Sequence, residues 1–181
     1  MLKTKKLIMM GMFVSLIIMC SFIKIPMIPV PLSLAFASVN LICLISNGKT
    51  GFISVLIYVI IGLIGVPVFS QGGGLGYIFN PTFGYIIGFL IMPVLSAFLK
   101  NIIKVDRMFL KNVLLSIVNI LIVYVCGMLY AFFILTSFFS MPYNFQQFVT
   151  LFALIFIPGD MIMALVTSFL GVRLKRIVKI Y

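Results

Sequence analysis

The chain has 181 residues, of which 64% are hydrophobic and 8% charged, with a mean hydropathy of +1.37. Soluble domains carry about a quarter charged residues, so this composition is that of an integral membrane protein. The formal net charge of +11 does not mark a nucleic-acid binder, because the basic residues stand in short clusters between apolar runs. With no histidine and two carboxylates, a His-built metal centre and a His-dependent triad are excluded, and an enzyme is not expected.

In chain order, the apolar, charge-free runs are Leu7 to Ile23, Leu32 to Ser46, Gly51 to Gly65, Phe83 to Leu99 and Val113 to about Phe138. Runs of about 17 to 25 such residues cross a bilayer as helices; the second and third are short and must borrow length from their flanks. From Phe145 to Gly171 the chain is again apolar but too long for one straight span, and Pro158-Gly159-Asp160 interrupts it. Proline suits a first helical turn, and a carboxylate there faces the positive end of the helix dipole. This predicts a short or re-entrant outer segment over Phe145 to Ile157 and a last span beginning at Pro158. The expected architecture is an all-α membrane domain over residues 1–181 with six transmembrane helices.

Sidedness follows from the basic residues. Lys3, Lys5 and Lys6, then Lys49, then Lys100, Lys104, Arg107 and Lys111, then Arg173, Lys175, Arg176 and Lys179 all fall on one side when connections alternate; Lys24 alone falls on the other. The positive-inside rule therefore places both termini in the cytoplasm. The first apolar run lacks a small-x-small cleavage site, so it is read as an uncleaved helix in the cell membrane. Cys20, Cys43 and Cys126 have no paired spacing and read as packing residues.

The outer side collects the unusual chemistry. "IKIPMIPVPLS", "GVPVFSQGGGLGYIFNPTFGY" and "SMPYNFQQF" are rich in Pro, Gly, Tyr, Asn or Gln. Irregular backbone at membrane depth is tolerated where it lines a cavity or is buried in protein. Asp160 joins these connections as the one acid of the outer half, since Asp106 lies in a basic connection. A carboxylate at this depth has two uses, ligand contact or capping of its own helix. Glycines 72 to 74 and Gly76 either bring backbone donors to a ligand or merely permit turns.

"IPMIPVPLSL", "GVPVFSQGGGLGYIFNPTFGYIIGF" and "IPGDMIMALVTSFL" occur in the order and spacing of BioY-type biotin transporters, which the chain resembles from about Leu7 to Leu174. These are the substrate-binding S components of energy-coupling factor (ECF) systems. The resemblance implies high-affinity biotin binding near the outer face and uptake across the cytoplasmic membrane. It also implies partners, a transmembrane coupling subunit and two ATPases, which hydrolyse the ATP that this chain, having no Walker loop, does not. No cofactor is implied. Carried onto this chain, the motifs are Gly73, Gly74, Leu75 and Gly76; Pro81, Thr82, Gly84 and Tyr85; and Pro158, Gly159 and Asp160. Asp160 is the natural acceptor for a ureido N–H, Asn80 can donate and accept, and Tyr77 and Tyr85 can flank the bicyclic ring.

The chain also departs from its relatives. Ala35 stands where many have Gln, Met163 where many have Lys, and the glycine stretch lacks an Arg found in some. The valerate carboxylate is left with Lys24 or backbone N–H groups of the glycine loop as candidate partners, and lipoate or a biotin precursor stays open as the substrate. Gly11 and Ser15 form a small-xxx-small pair on the first helix, similar to the surface with which S components dock on the coupling subunit. Gly84 and Gly88 form a second such pair, for docking or for internal packing. A non-transporting scaffold would need neither the uncharged outer cluster nor the acid beside it.

Overall fold

The computed structural model describes residues 2–25, 32–138 and 145–177; the proline-rich stretch 26–31, residues 139–144 and the C-terminal 178–181, with parts of the outer connections predicted there, lie outside the described residues. Among the described residues seven α-helices carry the fold: α1 (Leu2–Phe22), α2 (Ala35–Ile45), α3 (Gly48–Leu63), α4 (Phe83–Ile102), α5 (Met108–Phe138), α6 (Phe145–Val149) and α7 (Ile157–Ile177). α1, α4, α5 and the stretch running from α6 through α7 are long and apolar enough to cross a membrane, while α2 and α3 are shorter apolar helices. The protein is thus a helical, multi-pass membrane protein.

Where elements differ from expectation, local chemistry explains it. The second apolar run was expected to be helical from Leu32, but Leu32–Ser33 form a strand, β2, paired antiparallel with β1 (Lys24–Ile25). Lys24 lies opposite Ser33 in this two-stranded ribbon, and the amide of Leu34 donates to the carbonyl of Ile23 at 3.0 Å. The ribbon satisfies backbone groups that the short α2 cannot, at the end where α1 and α2 meet. α3 begins at Gly48, three residues before the expected Gly51, because Asn47 caps it, its side-chain oxygen accepting from the amide of Thr50 at 2.9 Å.

The segment before α7 follows the expected interruption. α6 runs into a π-helical turn over Thr150–Leu154, and α7 starts at Ile157 beside the predicted Pro158. The register slip has a visible consequence. The amide of Phe156 bonds to the carbonyl of Ala153, so the carbonyl of Phe152 is released from the helical ladder.

Close helix packing is written in glycine. A Cβ on Gly84 would lie 2.8 Å from the carbonyl oxygen of Cys126, and one on Gly88 2.8 Å from the Cα of Val123. Gly84 and Gly88 are therefore the face through which α4 seats on α5, which settles their use as internal packing. On α5, Gly127 leaves the space taken by the ring of Tyr85.

A buried polar cluster ties the other helices. Asn40 of α2 donates to Ser116 of α5 and Thr167 of α7, each at 2.8 Å; Asn119 donates to Asn40 at 2.8 Å, and Ser96 of α4 donates to Asn119 at 2.6 Å. Every one of these groups is buried. In lipid an unmatched polar side chain is costly, so the matched set fixes the mutual register of four helices.

Candidate functional site

The connection from α3 to α4 folds back onto its own helix rather than projecting outward. Phe69 packs over Gly62, its ring between Tyr58 and Tyr77 at centroid distances of 5.5 and 4.7 Å. Gly72 and Gly74 adopt φ of +126° and +100°, conformations that L side chains disfavour. The amide of Gly74 donates to the carbonyl of Gly62 at 2.7 Å and that of Gly72 to Phe69 at 3.2 Å. Leu75–Phe79 then form a 3₁₀ turn that delivers Tyr77 inward and leaves Leu75 exposed.

Beneath this connection lies a cavity bounded by Ser33 and the start of α2 (Ala35, Phe36), Tyr58 of α3, and Ser70, Tyr77 and Thr82 of the connection. Tyr85, Ile86 and Phe89 of α4, Val123 and Tyr124 of α5, and Phe156 and Asp160 complete it. Most of the polar wall residues are oriented by a partner. The Tyr77 and Thr82 hydroxyls meet at 2.8 Å, and Asn80 Oδ1 accepts from both the amide and the hydroxyl of Thr82, at 2.9 and 2.8 Å. Tyr85 donates to the Phe152 carbonyl released by the π turn, at 2.6 Å. Tyr58 donates to the carbonyl of Val68 at 3.2 Å.

Asp160 closes the buried end. Its amide is already in the helical ladder, donating to Phe156 at 3.0 Å. Its Oδ2 accepts the phenol of Tyr124 at 2.5 Å, and its Oδ1, fully buried, has no hydrogen-bond partner among the described residues. Neither oxygen accepts a backbone N–H there, so the capping alternative is not what this carboxylate does. A buried acceptor without a donor is costly, and it belongs to a residue of the cavity wall.

Of the residues expected from sequence, Tyr77, Tyr85 and Asp160 are brought together in the wall. Gly73, Gly74, Leu75 and Asn80 are not in the wall. Gly73 packs against the carbonyls of Val66 and Gly62. Asn80 stands behind Thr82 and also donates to Gln71 at 2.8 Å. Gly11 and Ser15 lie elsewhere, on the exposed side of α1.

Sequence reasoning did not single out Ser33, Tyr58, Ser70 or Tyr124 as wall residues. Tyr124 carried one usable signal, a polar-tipped ring deep within a 31-residue apolar helix. Its pairing with Asp160 across 36 positions has no local signature.

Because Asn80 presets Thr82, Asn80→Ala is expected to raise a ligand's Kd roughly threefold to tenfold, the worth of one or two neutral hydrogen bonds. Asn80→Asp, which keeps the acceptor, is expected to lie closer to wild type. Titration of both variants checks this; equal losses would detach Thr82 from the effect.

Residues 1–180 match the BioY family. The chain belongs to that family. It is 32% identical over 175 residues to a probable biotin transporter BioY of Lysinibacillus sphaericus, covering 96% of this chain and 88% of the relative. It is 29% identical to the biotin transporter BioY of Thermotoga maritima, covering 96% and 97%. Its structure is similar to the crystal structure of the S-component for biotin from an ECF-type ABC transporter, with a TM-score of 0.80, 28% identity, and coverage of 96% and 92%. As a BioY protein the chain is a membrane transport component and not an enzyme.

Proposed function

We propose that this BioY protein binds biotin with high affinity in the outer cavity and is the substrate-specific subunit of an ECF-type transporter in the cell membrane. Binding and release would be coupled to reorientation of the whole subunit, driven by two ATPases through a transmembrane coupling subunit. Residues 1–181 act as one membrane domain of six spanning helices with both termini cytoplasmic, the short α2 and α3 completing the set that the four long helices begin.

The observation that carries this reading is Asp160, a residue of the cavity wall whose buried Oδ1 has no hydrogen-bond partner among the described residues while Tyr124 takes Oδ2. Biotin's ureido ring supplies the missing donor, an N–H. Tyr77 and Tyr85, both pinned through their hydroxyls, offer aromatic faces to the bicyclic ring, and Ile86, Phe89 and Val123 supply apolar wall for its thioether half. Lipoate has no N–H on its ring to meet Oδ1, so the geometry favours biotin over it. Gly73, Gly74, Leu75 and Asn80 belong to this site as its support, shaping the connection that holds Tyr77 and Thr82.

Uptake of labelled biotin by cells carrying this protein with its coupling module tests the assignment: accumulation that requires ATP is expected, and accumulation equal to that of cells lacking the protein contradicts it.

Docking on the coupling subunit is assigned to Gly11 and Ser15. Both are exposed, Ser15 bonds back to the Gly11 carbonyl at 3.0 Å, and a Cβ on Gly11 would meet nothing within 4 Å. The double change Gly11→Leu and Ser15→Leu is expected to leave biotin affinity and thermal stability unchanged while abolishing co-purification of the ATPases in mild detergent. Undiminished co-purification would move the interface elsewhere.

A further inference from the structure

Resting on the reading of the cavity as a biotin site, we propose that Lys24 is the residue that receives the ligand's carboxylate at the outer rim. Asp160 sets the orientation of the ligand. It is the one acid of the cavity wall, and no basic side chain stands in that wall among the described residues. Two carboxylates repel in a low-dielectric site, so an acid tail is directed away from the buried Asp160, toward the half-buried Ser33 and Ser70.

Lys24 reaches these two serines by two independent routes. Its backbone is paired across the ribbon with Ser33, a wall residue, and its Nζ donates to the carbonyl of Ser70, a second wall residue. Ser70 in turn lies 3.5 Å, hydroxyl to hydroxyl, from Tyr77. An ammonium has three N–H donors, so one bond to Ser70 holds the group at the rim and leaves two for a carboxylate. The alternative partners, amides of the glycine loop, are in part engaged and stand outside the wall. Gly72 and Gly74 donate to Phe69 and Gly62, and neither they nor Gly73 line the cavity. By the alternation of charge along the chain, every other basic residue lies at the opposite membrane face.

The test separates this role from a merely structural one by changing the ligand as well as the protein. Biotin and its neutral carboxamide are titrated into purified wild type, Lys24→Gln and Lys24→Arg. Wild type is expected to prefer biotin by about ten- to thirtyfold, the range of a charge-assisted hydrogen-bonded pair. Lys24→Gln is expected to lose that preference by weakening biotin alone, and Lys24→Arg to keep it. An unchanged preference in Lys24→Gln, or an equal loss for both ligands, overturns the assignment. Wild type that binds neither ligand would instead refute the reading of the cavity itself, a result distinct from either.

Discussion

Asp160→Asn is expected to weaken biotin binding on the order of 10- to 100-fold without preventing membrane insertion. The change is isosteric, so packing of α7 against Tyr124 is preserved. What disappears is a charged acceptor for the ureido N–H, and a hydrogen bond to a charged group contributes about 1.5–3 kcal/mol. Tyr124→Phe attacks the same arrangement from behind. It leaves the carboxylate in place but removes the phenol that holds Oδ2 and fixes the direction of Oδ1. A smaller loss is expected, roughly threefold to tenfold, because this hydrogen bond orients the carboxylate and does not contact the ligand. Titration calorimetry of both variants checks the order: if Tyr124→Phe costs more than Asp160→Asn, the carboxylate is not the primary contact.

The second large effect is expected at the α4–α5 contact. Gly88→Val places a branched side chain where a Cβ would already stand 2.8 Å from the Cα of Val123, and Gly84→Val does the same against Cys126. Overpacking costs about 1–3 kcal/mol when neighbours can shift, and here the neighbours are backbone atoms that move only with the whole helix. Thermal unfolding in detergent should show both variants clearly destabilised. The contrast with Gly11→Leu is the control, since Gly11 faces open space and its replacement should leave the unfolding transition unmoved. Binding should fall with stability at α4 as well, because Tyr85 projects from the same face into the gap left by Gly127 and into the cavity wall. Wild-type stability in Gly88→Val would mean that α4 and α5 are not in backbone contact there.

Much of this architecture was legible in the sequence for a simple reason. Lipid excludes charge, so the ends of apolar runs mark helices, and the breaks at Pro158 and at the glycine stretch mark where the chain leaves them. Charge patterning could not foresee that Leu32–Ser33 would pair with Lys24–Ile25, because a two-residue ribbon has no periodicity to detect. Nor did it foresee the π turn, whose sign is a released carbonyl on Phe152 rather than any residue type.

The site was legible to the extent that its chemistry is unusual for its surroundings. Asp160 stood out as an acid in an apolar helix, and Tyr77 and Tyr85 as polar-tipped rings beside it. Gly73 and Gly74 permit a compact connection, the amide of Gly74 bonding to Gly62 and Gly73 packing against the carbonyls of Val66 and Gly62. Asn80, whose amide has the right chemistry for a ureido group, is engaged with Thr82 and Gln71 in a way that its position in the chain does not announce. Tyr124 was hidden because its meaning depends on a partner that the fold, and not the chain order, brings next to it.

The central claim is that Asp160 in the outer cavity holds biotin, and ligand release from purified protein tests it most directly. Wild type and Asp160→Asn are purified in parallel from biotin-supplied cells, denatured, and the released small molecules identified by mass spectrometry. The account predicts biotin from wild type and little or none from Asp160→Asn. A wild-type sample that releases no biotin and binds none on addition, or equal release from both proteins, would contradict it.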